Sequence, residues 1–468
     1  MRIRTLTVFL AFALTAGVHA QNTDIEALAG LQFNFGNPGA RSLGMGGAFL
    51  GLADDASAAE ANPAGLSILR KAEVSLEVRN YLENQILTTS GTFPDFERTA
   101  FGHHSDRAVI SFASAVVPVR NFTFGAYFHE PLRNQGAGAV IPQRNPLTGQ
   151  IEKDLPVFYM EQQNNQPIGG PLSFEECEAV KDRNNDPFSC LGYEVFPFIS
   201  ALDVQQRTFG VAGAWQVTPK FSVGATARYH TFKEDAFTFR IDRFFNFVGY
   251  AVQATGDVSE DGTEIEIKEE TDFTFTAGFK WAPSDKLSFG GVYKKGPTFD
   301  APTFLATDAT DRLFVRVGNT EFHTPDVAGL GVSYRPIPVL TINFDAVHVK
   351  YTNLVDDFTT TVAIGDLDEP YITHDVTELH LGGEYFFATR IPFAIRAGYW
   401  REPAHAIEYN GPLDTPDRIA AAFIYPEGKD QNHFSIGAGI ALPRFQIDFA
   451  YDTSDTYKVG SISMVTRF

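Results

Sequence analysis

Residues 207–230 read Arg-Thr-Phe-Gly-Val-Ala-Gly-Ala-Trp-Gln-Val, then Thr218-Pro219, then Lys-Phe-Ser-Val-Gly-Ala-Thr-Ala-Arg-Tyr-His. Phe209, Val211, Trp215 and Val217 share one face of the first run, opposite Thr208 and Gln216. In the second run, Phe221, Val223, Ala225, Ala227 and Tyr229 stand against Ser222, Thr226, Arg228 and His230. Period-two alternation marks a strand with two unlike faces, and Thr-Pro between two such runs marks a tight turn. The stretch is therefore expected to be a β-hairpin, with strands longer than the five or six residues usual in soluble sheets.

The same signal recurs along the chain. Phe273, Phe275, Phe279 and Trp281 oppose Asp272, Thr274, Thr276 and Lys280; Leu379, Leu381, Tyr385 and Phe387 oppose Glu378, His380 and Glu384. Phe445, Ile447, Phe449 and Tyr451 oppose Gln446, Asp448 and Asp452. Fourteen strands are predicted, near 71–82, 107–118, 120–131, 203–217, 220–234, 271–283, 286–295, 322–336, 338–350, 375–388, 392–402, 431–442, 444–453 and 456–468. Each even-numbered strand is followed by a tight turn, and each odd-numbered one by a long connection, except the last pair. Aromatics gather at strand ends (Trp215, Tyr229, Trp281, Tyr334, Tyr385, Trp400 and Tyr451), as in the interfacial girdles of membrane barrels. These features predict an all-β chain: a transmembrane antiparallel up-and-down β-barrel of about fourteen strands over 71–468. Closure leaves no unpaired sheet edge in lipid.

Composition agrees. The 468 residues include 43 Phe and 40 Gly against 4 Met, which suits lipid-facing aromatics on a crowded sheet better than a soluble enzyme. A formal net charge of -20 excludes a phosphate-binding surface and hence nucleic acid as a partner. Residues 1–20 read as a signal peptide: Arg2 and Arg4, an apolar core from Leu6 to Ala16, and Val18-His19-Ala20 before the expected cleavage. Export puts Cys177 and Cys190 in an oxidising compartment, where a local disulfide is expected. No metal ligand set accompanies them, and no cofactor is implied.

Residues 21–70 do not alternate. Segment 53–61 reads as a short helix with Asp54 or Asp55 as its cap, ended by Asn62-Pro63. Its many glycines and its apolar residues (Leu31, Phe33, Phe35, Leu43, Phe49 and Leu52) suit a compact plug inside the lumen, where they find cover. Inward charges such as Arg228, Lys280, Glu384 and Arg396 are expected to form lumen salt bridges to it, with Arg41 and Asp54 or Asp55 as plug-side partners.

The stretches Ala40-Arg41-Ser42-Leu43-Gly44-Met45-Gly46-Gly47-Ala48-Phe49, Ala53-Asp54-Asp55-Ala56-Ser57 and Asn62-Pro63-Ala64-Gly65-Leu66 resemble the N-terminal signature of the outer-membrane long-chain fatty acid and aromatic hydrocarbon transporters, the FadL-type family. The resemblance is close over residues 34–70 and elsewhere rests on strand count, loop alternation and length. It implies a bacterial outer-membrane location and a hatch containing Asn62, Pro63 and Ala64. It also implies passive uptake of hydrophobic small molecules, long-chain fatty acids or hydrocarbons, through an outer-loop groove, an apolar pocket and a hatch or lateral opening. A related barrel of type IX protein secretion carries a similar Ser-Leu-Gly-Met-Gly-Gly stretch, so a non-transporting secretion component is the alternative.

The loop after the fifth strand supplies Phe237, Phe239, Phe244, Phe245 and Phe247 for such a groove, and the loop after the seventh supplies Phe299, Phe304 and Phe314. Packing of the loops on each other would use the same residues. Arg240 and Arg243 stand beside them, able to meet a ligand carboxylate or to pair with Asp242 or Glu234. Gly125 and Pro131 in the third strand are candidates for a break in pairing beside a lateral gap. Catalysis is not expected. His103, His104, His129, His230, His380 and His433 are scattered, and no Gly-x-Ser-x-Gly, phosphate loop or His-Glu-x-x-His is present. The remaining partners expected are outer-membrane lipids and, through the terminal Phe468, the barrel assembly machinery; a monomer is expected.

Overall fold

The computed structural model of the chain describes residues 36–86, 102–140, 143–144, 151–153, 157–164, 166–194, 198–241, 247–306, 313–355, 371–414, 418–419, 422, 427–455 and 457–468. The signal peptide expected over 1–20, the hatch residues expected before 36, and Arg243, Phe244 and Phe245 lie outside them.

Fourteen antiparallel strands form the barrel wall: β1 Glu73–Ile86, β2 Gly102–Val119, β3 Phe122–Val140, β4 Phe198–Thr218, β5 Phe221–Ile241, β6 Glu270–Ser284, β7 Leu287–Lys294, β8 Val327–Ile337, β9 Leu340–Val349, β10 Val376–Phe387, β11 Phe393–Glu402, β12 Gln431–Ala441, β13 Phe445–Thr453 and β14 Tyr457–Arg467. Each pairs with the next, and β14 closes on β1 through Met464 opposite Leu76 and Val459 opposite Tyr81. Phe468 donates its backbone N–H to the Ala72 carbonyl beside this seam. Turns at one rim are short, as at Arg120-Asn121 and Pro219-Lys220; the other rim carries the long loops. Three further strands, Phe247–Ala254, Thr298–Ala306 and Phe314–His323, extend the sheet above β5 and β7.

The two faces of the wall separate as alternation requires. Val211, Phe273, Leu330, Ile436 and Ile462 point outward and are exposed, while Ser75, Glu77, Arg79, Thr208, Asp345 and Asp448 are buried inside. Trp215, Trp281, Tyr334 and Tyr385 form an outward girdle near the short turns. Trp400 does not join it. Its position has the inward parity of Ala394 and Arg396, and its indole stacks between His380 and His433 with Nε1 donating to Asp452. A polar network inside thus claims an aromatic that its position near a strand end assigned to the interface.

Among the outer loops, Cys177 and Cys190 are bonded. They tie a helix, Phe174–Asn184, to a small sheet of Val157–Gln163, Gln166–Leu172 and Cys190–Glu194. The helix begins with a reciprocal cap: Ser173 Oγ accepts from Glu176 N, and the Glu176 carboxylate accepts from Ser173 N.

Candidate functional site: the plugged lumen

Residues 36–70 fill the lumen near its short-turn half and touch strands all round the wall. The first contact is backbone on backbone. Gly46 and Gly47 take positive φ angles of 64° and 77°, conformations that favour glycine. A Cβ added to Gly398 on β11 would lie 2.0 Å from Gly46 N, so the hatch rests directly on bare wall. Inward hydrogen-bonding groups then fix the chain. Asp345 on β9 accepts from Phe49 N at 2.6 Å and Leu50 N at 2.8 Å. Lys280 on β6 donates to the carbonyls of Gly51 and Leu52, and Ser288 on β7 to that of Gly51. On the opposite side, Glu77 accepts from Gly39 N at 2.9 Å and Ser463 from Ala40 N at 3.0 Å.

Asn62 shows what the Asn-Pro-Ala triplet does. Its Nδ2 donates to the carbonyls of Leu50, within the hatch, and Phe279, on β6, while Oδ1 accepts from Ala64 N. Pro63 then opens a 3-10 turn over Pro63–Ile68. The helix expected over 53–61 is shorter, Ala58–Ala61, and neither Asp54 nor Asp55 caps it. Arg41 draws Asp54 away as an ion-pair partner, and Asp55 accepts from the N and Oγ of Ser57 instead. Local turn chemistry and a buried cation thus override the helical propensity of Ala-Ser-Ala-Ala-Glu-Ala.

Of the charges expected as lumen salt bridges, Arg228, Glu384 and Arg396 form them, whereas Lys280 donates to hatch carbonyls instead. Glu384 holds both Arg41 of the hatch and Arg396 of β11, and Arg396 reaches Asp448 at 2.8 Å. Glu60 of the hatch meets Lys294 at 2.9 Å, Arg228 at 3.6 Å and His129 at 3.7 Å. Burial opposes ionisation of Glu60, but Lys294, Arg228 and His129 outweigh it and hold this carboxyl well below the usual carboxylate range. Three of the histidines are absorbed in the wall. His433 sits between Glu402 and Asp452, His380 between Glu378 and the Gly46 carbonyl, and His230 bridges Thr208 and Thr274.

Above the hatch the lumen turns apolar. Leu132, Leu202, Val204, Phe232, Val292 and Val349 belong to one buried cluster with Leu50 of the hatch at its base. Phe232 stacks against Phe299 at 4.7 Å and Phe322 at 4.9 Å. Phe232, Phe322 and Leu132 were not among the residues the sequence singled out. Their strands carry apolar residues on both faces towards the outer rim, so alternation there no longer separates lumen from lipid. The eight phenylalanines expected to build a groove divide. Phe299 belongs to this lumen cluster; Phe237 on β5 packs with Phe304 and Phe314, on two of the outer strands, over Val252. Phe239, Arg240 and Phe247 are placed by backbone register alone, opposite Tyr250, Gly249 and Ile241.

The third strand breaks once against its neighbour. His129 pairs with Thr208 and Leu132 with Gln206, so Glu130 and Pro131 bulge over the single residue Arg207. Proline has no N–H for the ladder. Gly125 keeps regular partners, Val116 and Ala212, so the break falls at Pro131 alone of the two candidates.

Residues 198–461 match the family described as outer membrane protein transport protein (OMPP1/FadL/TodX). The chain belongs to this family. Membership in OMPP1/FadL/TodX places it in the outer membrane, as a transport barrel with an N-terminal plug. No curated protein matches the sequence. Among solved structures it resembles a Pseudomonas aeruginosa FadL homologue, at 14% identity and a TM-score of 0.56 over 93% of this chain and 99% of that one. It also resembles the P. putida toluene transporter TodX (13%, TM-score 0.54) and the Ralstonia pickettii toluene transporter TbuX (14%, 0.53), each with the same coverage of both chains. At these identities the likeness is one of fold.

Proposed function

We propose that the chain is a passive channel for hydrophobic small molecules, long-chain fatty acids or hydrocarbons, taken from outside the cell. The observation that carries this reading is the buried apolar cluster around Phe232, Phe299 and Phe322, walled by the barrel and floored by Leu50 of the hatch. A water-filled pore has no use for such a zone, whereas an apolar solute gains roughly 25 cal/mol for each Å² of surface it buries there. In this reading Phe237, Phe239, Phe244, Phe245, Phe247, Phe304 and Phe314 receive the solute. Phe299 and the cluster around it hold the solute, and Arg240 and Arg243 are assigned to meet a ligand carboxylate. Release runs past the hatch motif of Asn62, Pro63 and Ala64, or sideways where Pro131 interrupts the β3–β4 ladder.

Mass spectrometry of organic extracts from detergent-purified barrel tests this, beside a variant carrying alanine at Phe232 and Phe299. A stoichiometric apolar compound, depleted in the variant, is the expected result. Extracts without apolar ligand, and protein partners in their place, would move the chain to a secretion-system role.

A further inference from the structure

The chain holds 57 acidic against 37 basic residues, yet the rim of short turns has the opposite sign. Each of its six turns brings one exposed cation: Arg120 after β2, Lys220 after β4, Lys286 after β6, Arg335 near the end of β8, Arg390 after β10 and Arg444 after β12. Arg70 and Lys71, also exposed, add two where the hatch runs into β1. Among the described residues of this rim, one exposed acidic side chain stands with these eight, Asp285. Glu73 is buried and is taken by Arg467. Lys220 Nζ donates to the Pro283 carbonyl at 2.8 Å and Arg335 Nε to Thr341 Oγ1 at 3.5 Å, and none of the eight has an acidic partner among the described residues. The outer end differs: Arg401 stands beside Asp430, Lys295 beside Asp326 and Lys181 beside Glu178.

The cations form a collar at a set depth. Trp215 precedes Lys220 by five residues, as Trp281 precedes Lys286 and Tyr385 precedes Arg390, and Tyr334 adjoins Arg335. They therefore follow directly on the outward aromatic girdle, which in a membrane barrel marks the interface, and the short turns mark the periplasmic side. Successive turns are two tilted strands apart, roughly 10–13 Å. That is comparable with the Debye length of about 8–10 Å, so an anion at the rim is drawn by more than one cation. Exposed apolar side chains, Phe122, Ile337, Ile391 and Phe445, stand beside the cations. A protein docked on the mouth leaves that apolar edge uncovered, and a passing solute carboxylate meets one or two cations, not a closed circle. The headgroup region of a lipid leaflet meets cations and apolar edge together, all round the barrel. We propose that this rim is a collar for anionic phospholipids of the periplasmic leaflet, pairing with their phosphodiesters while their acyl chains lie along the girdle. The total charge of -20, read as excluding a phosphate-binding surface, holds for the chain and fails at this rim, because a sum does not say where charge sits.

The test places the barrel in nanodiscs of equal phosphatidylglycerol and phosphatidylethanolamine. Mass spectrometry then reads the lipid that stays on the protein when the disc is dissolved in neutral detergent. The wild type is expected to retain the anionic lipid over the zwitterionic one by about fivefold or more, the scale of one cation at an anionic surface. The preference is expected to vanish in about 1 M salt, where the Debye length is about 3 Å. A variant combining Lys220→Gln, Lys286→Gln, Arg390→Gln and Arg444→Gln, checked for assembly by heat-modifiable migration, is expected to retain the two lipids equally. Lys295→Gln with Arg401→Gln, at the outer end, is expected to keep the wild-type preference. Equal retention by the wild type overturns the collar, as does a preference indifferent to salt. An assembled rim variant that keeps the preference overturns it too, and so does an outer-end variant that loses as much. Equal retention of the lipids beside an acidic protein held by the wild type and lost from the rim variant would give the rim to a protein partner instead. Should the fourfold variant not assemble, Lys220→Gln and Arg444→Gln singly are each expected to lower the preference, and unchanged ratios in both overturn the collar.

Discussion

Arg41 and Glu384 meet as a two-pronged pair, Nε to Oε2 and Nη2 to Oε1, both at 2.9 Å. One residue belongs to the hatch and the other to β10, and Arg396 shares the same carboxylate at 2.7 Å. Removing one member of a buried ionic group leaves the others uncompensated, at a cost of about 3–5 kcal/mol. Glu384→Gln is thus expected to loosen the hatch while the outward face, and insertion, stay intact. Planar-bilayer recordings check this: the wild type stays closed and the variant opens. A variant as closed and as heat-stable as the wild type would show that the pair contributes little.

The contact of Gly46 with Gly398 sets a steric test. A Cβ at Gly398 would stand 2.0 Å from backbone nitrogen, and backbone held on all sides cannot yield. Gly398→Val is expected to displace the hatch and make it cleavable by added protease, with the barrel still assembled. Gly213→Ala is the control, since the nearest atom to its added Cβ is 3.8 Å away.

Acid should weaken hatch docking through Glu60. Its unfolded reference is 4.5 and its folded value lies well below. The stabilisation is therefore complete above about 4.5 and is lost as pH falls beneath that value. Asp55 acts with the opposite sign: burial raises its carboxyl, so its ionisation costs docking as pH rises above 3.8. Protease accessibility of the hatch, followed from neutral to acid pH in wild type and Glu60→Gln, separates the two. The wild type should gain accessibility on the acid side, and the variant should lack that limb. Parallel curves would remove Glu60 from the account.

The disulfide closes a short loop of sequence separation 13. Such a loop contributes about 3 kcal/mol in the chain-entropy model, confined to the module it closes. Cys177→Ser with Cys190→Ser should make the helix Phe174–Asn184 protease-sensitive and leave barrel melting unchanged. A lowered barrel melting temperature would mean that the loop module braces the wall.

The wall was legible because membrane strands must alternate, and every one of the fourteen emerged near its expected place. Their outer ends were not. β3 runs to Val140, β4 begins at Phe198 and β5 ends at Ile241, each several residues beyond the alternating stretch. Above the lipid both faces meet water or loop, and a ladder such as Asn134-Gln135-Gly136-Ala137 needs no pattern to persist. Phe237 accordingly lies on a strand and not in a loop. The charges facing the hatch could be read by parity from their own strands, but their partners could not. Glu60 sits in an alanine-rich segment that carries no sign of the Lys294, Arg228 and His129 gathered around it. Those three residues come from strands far apart in the chain, and only closure of the barrel brings them together.

The hatch bears on the wall where the wall has no side chains. Leu50 would obstruct a Cβ on Gly290, Met45 one on Gly382, and Pro63 one on Gly224, just as Gly46 would obstruct one on Gly398. The plug and the cylinder are therefore cut to each other like a key and its wards, backbone relief against backbone relief. A plug transplanted from another barrel of equal diameter would not seat unless the bare positions of its new host fell under its own protrusions. Exchange of the plug alone would yield leaky pores, and exchange of plug with cylinder closed ones.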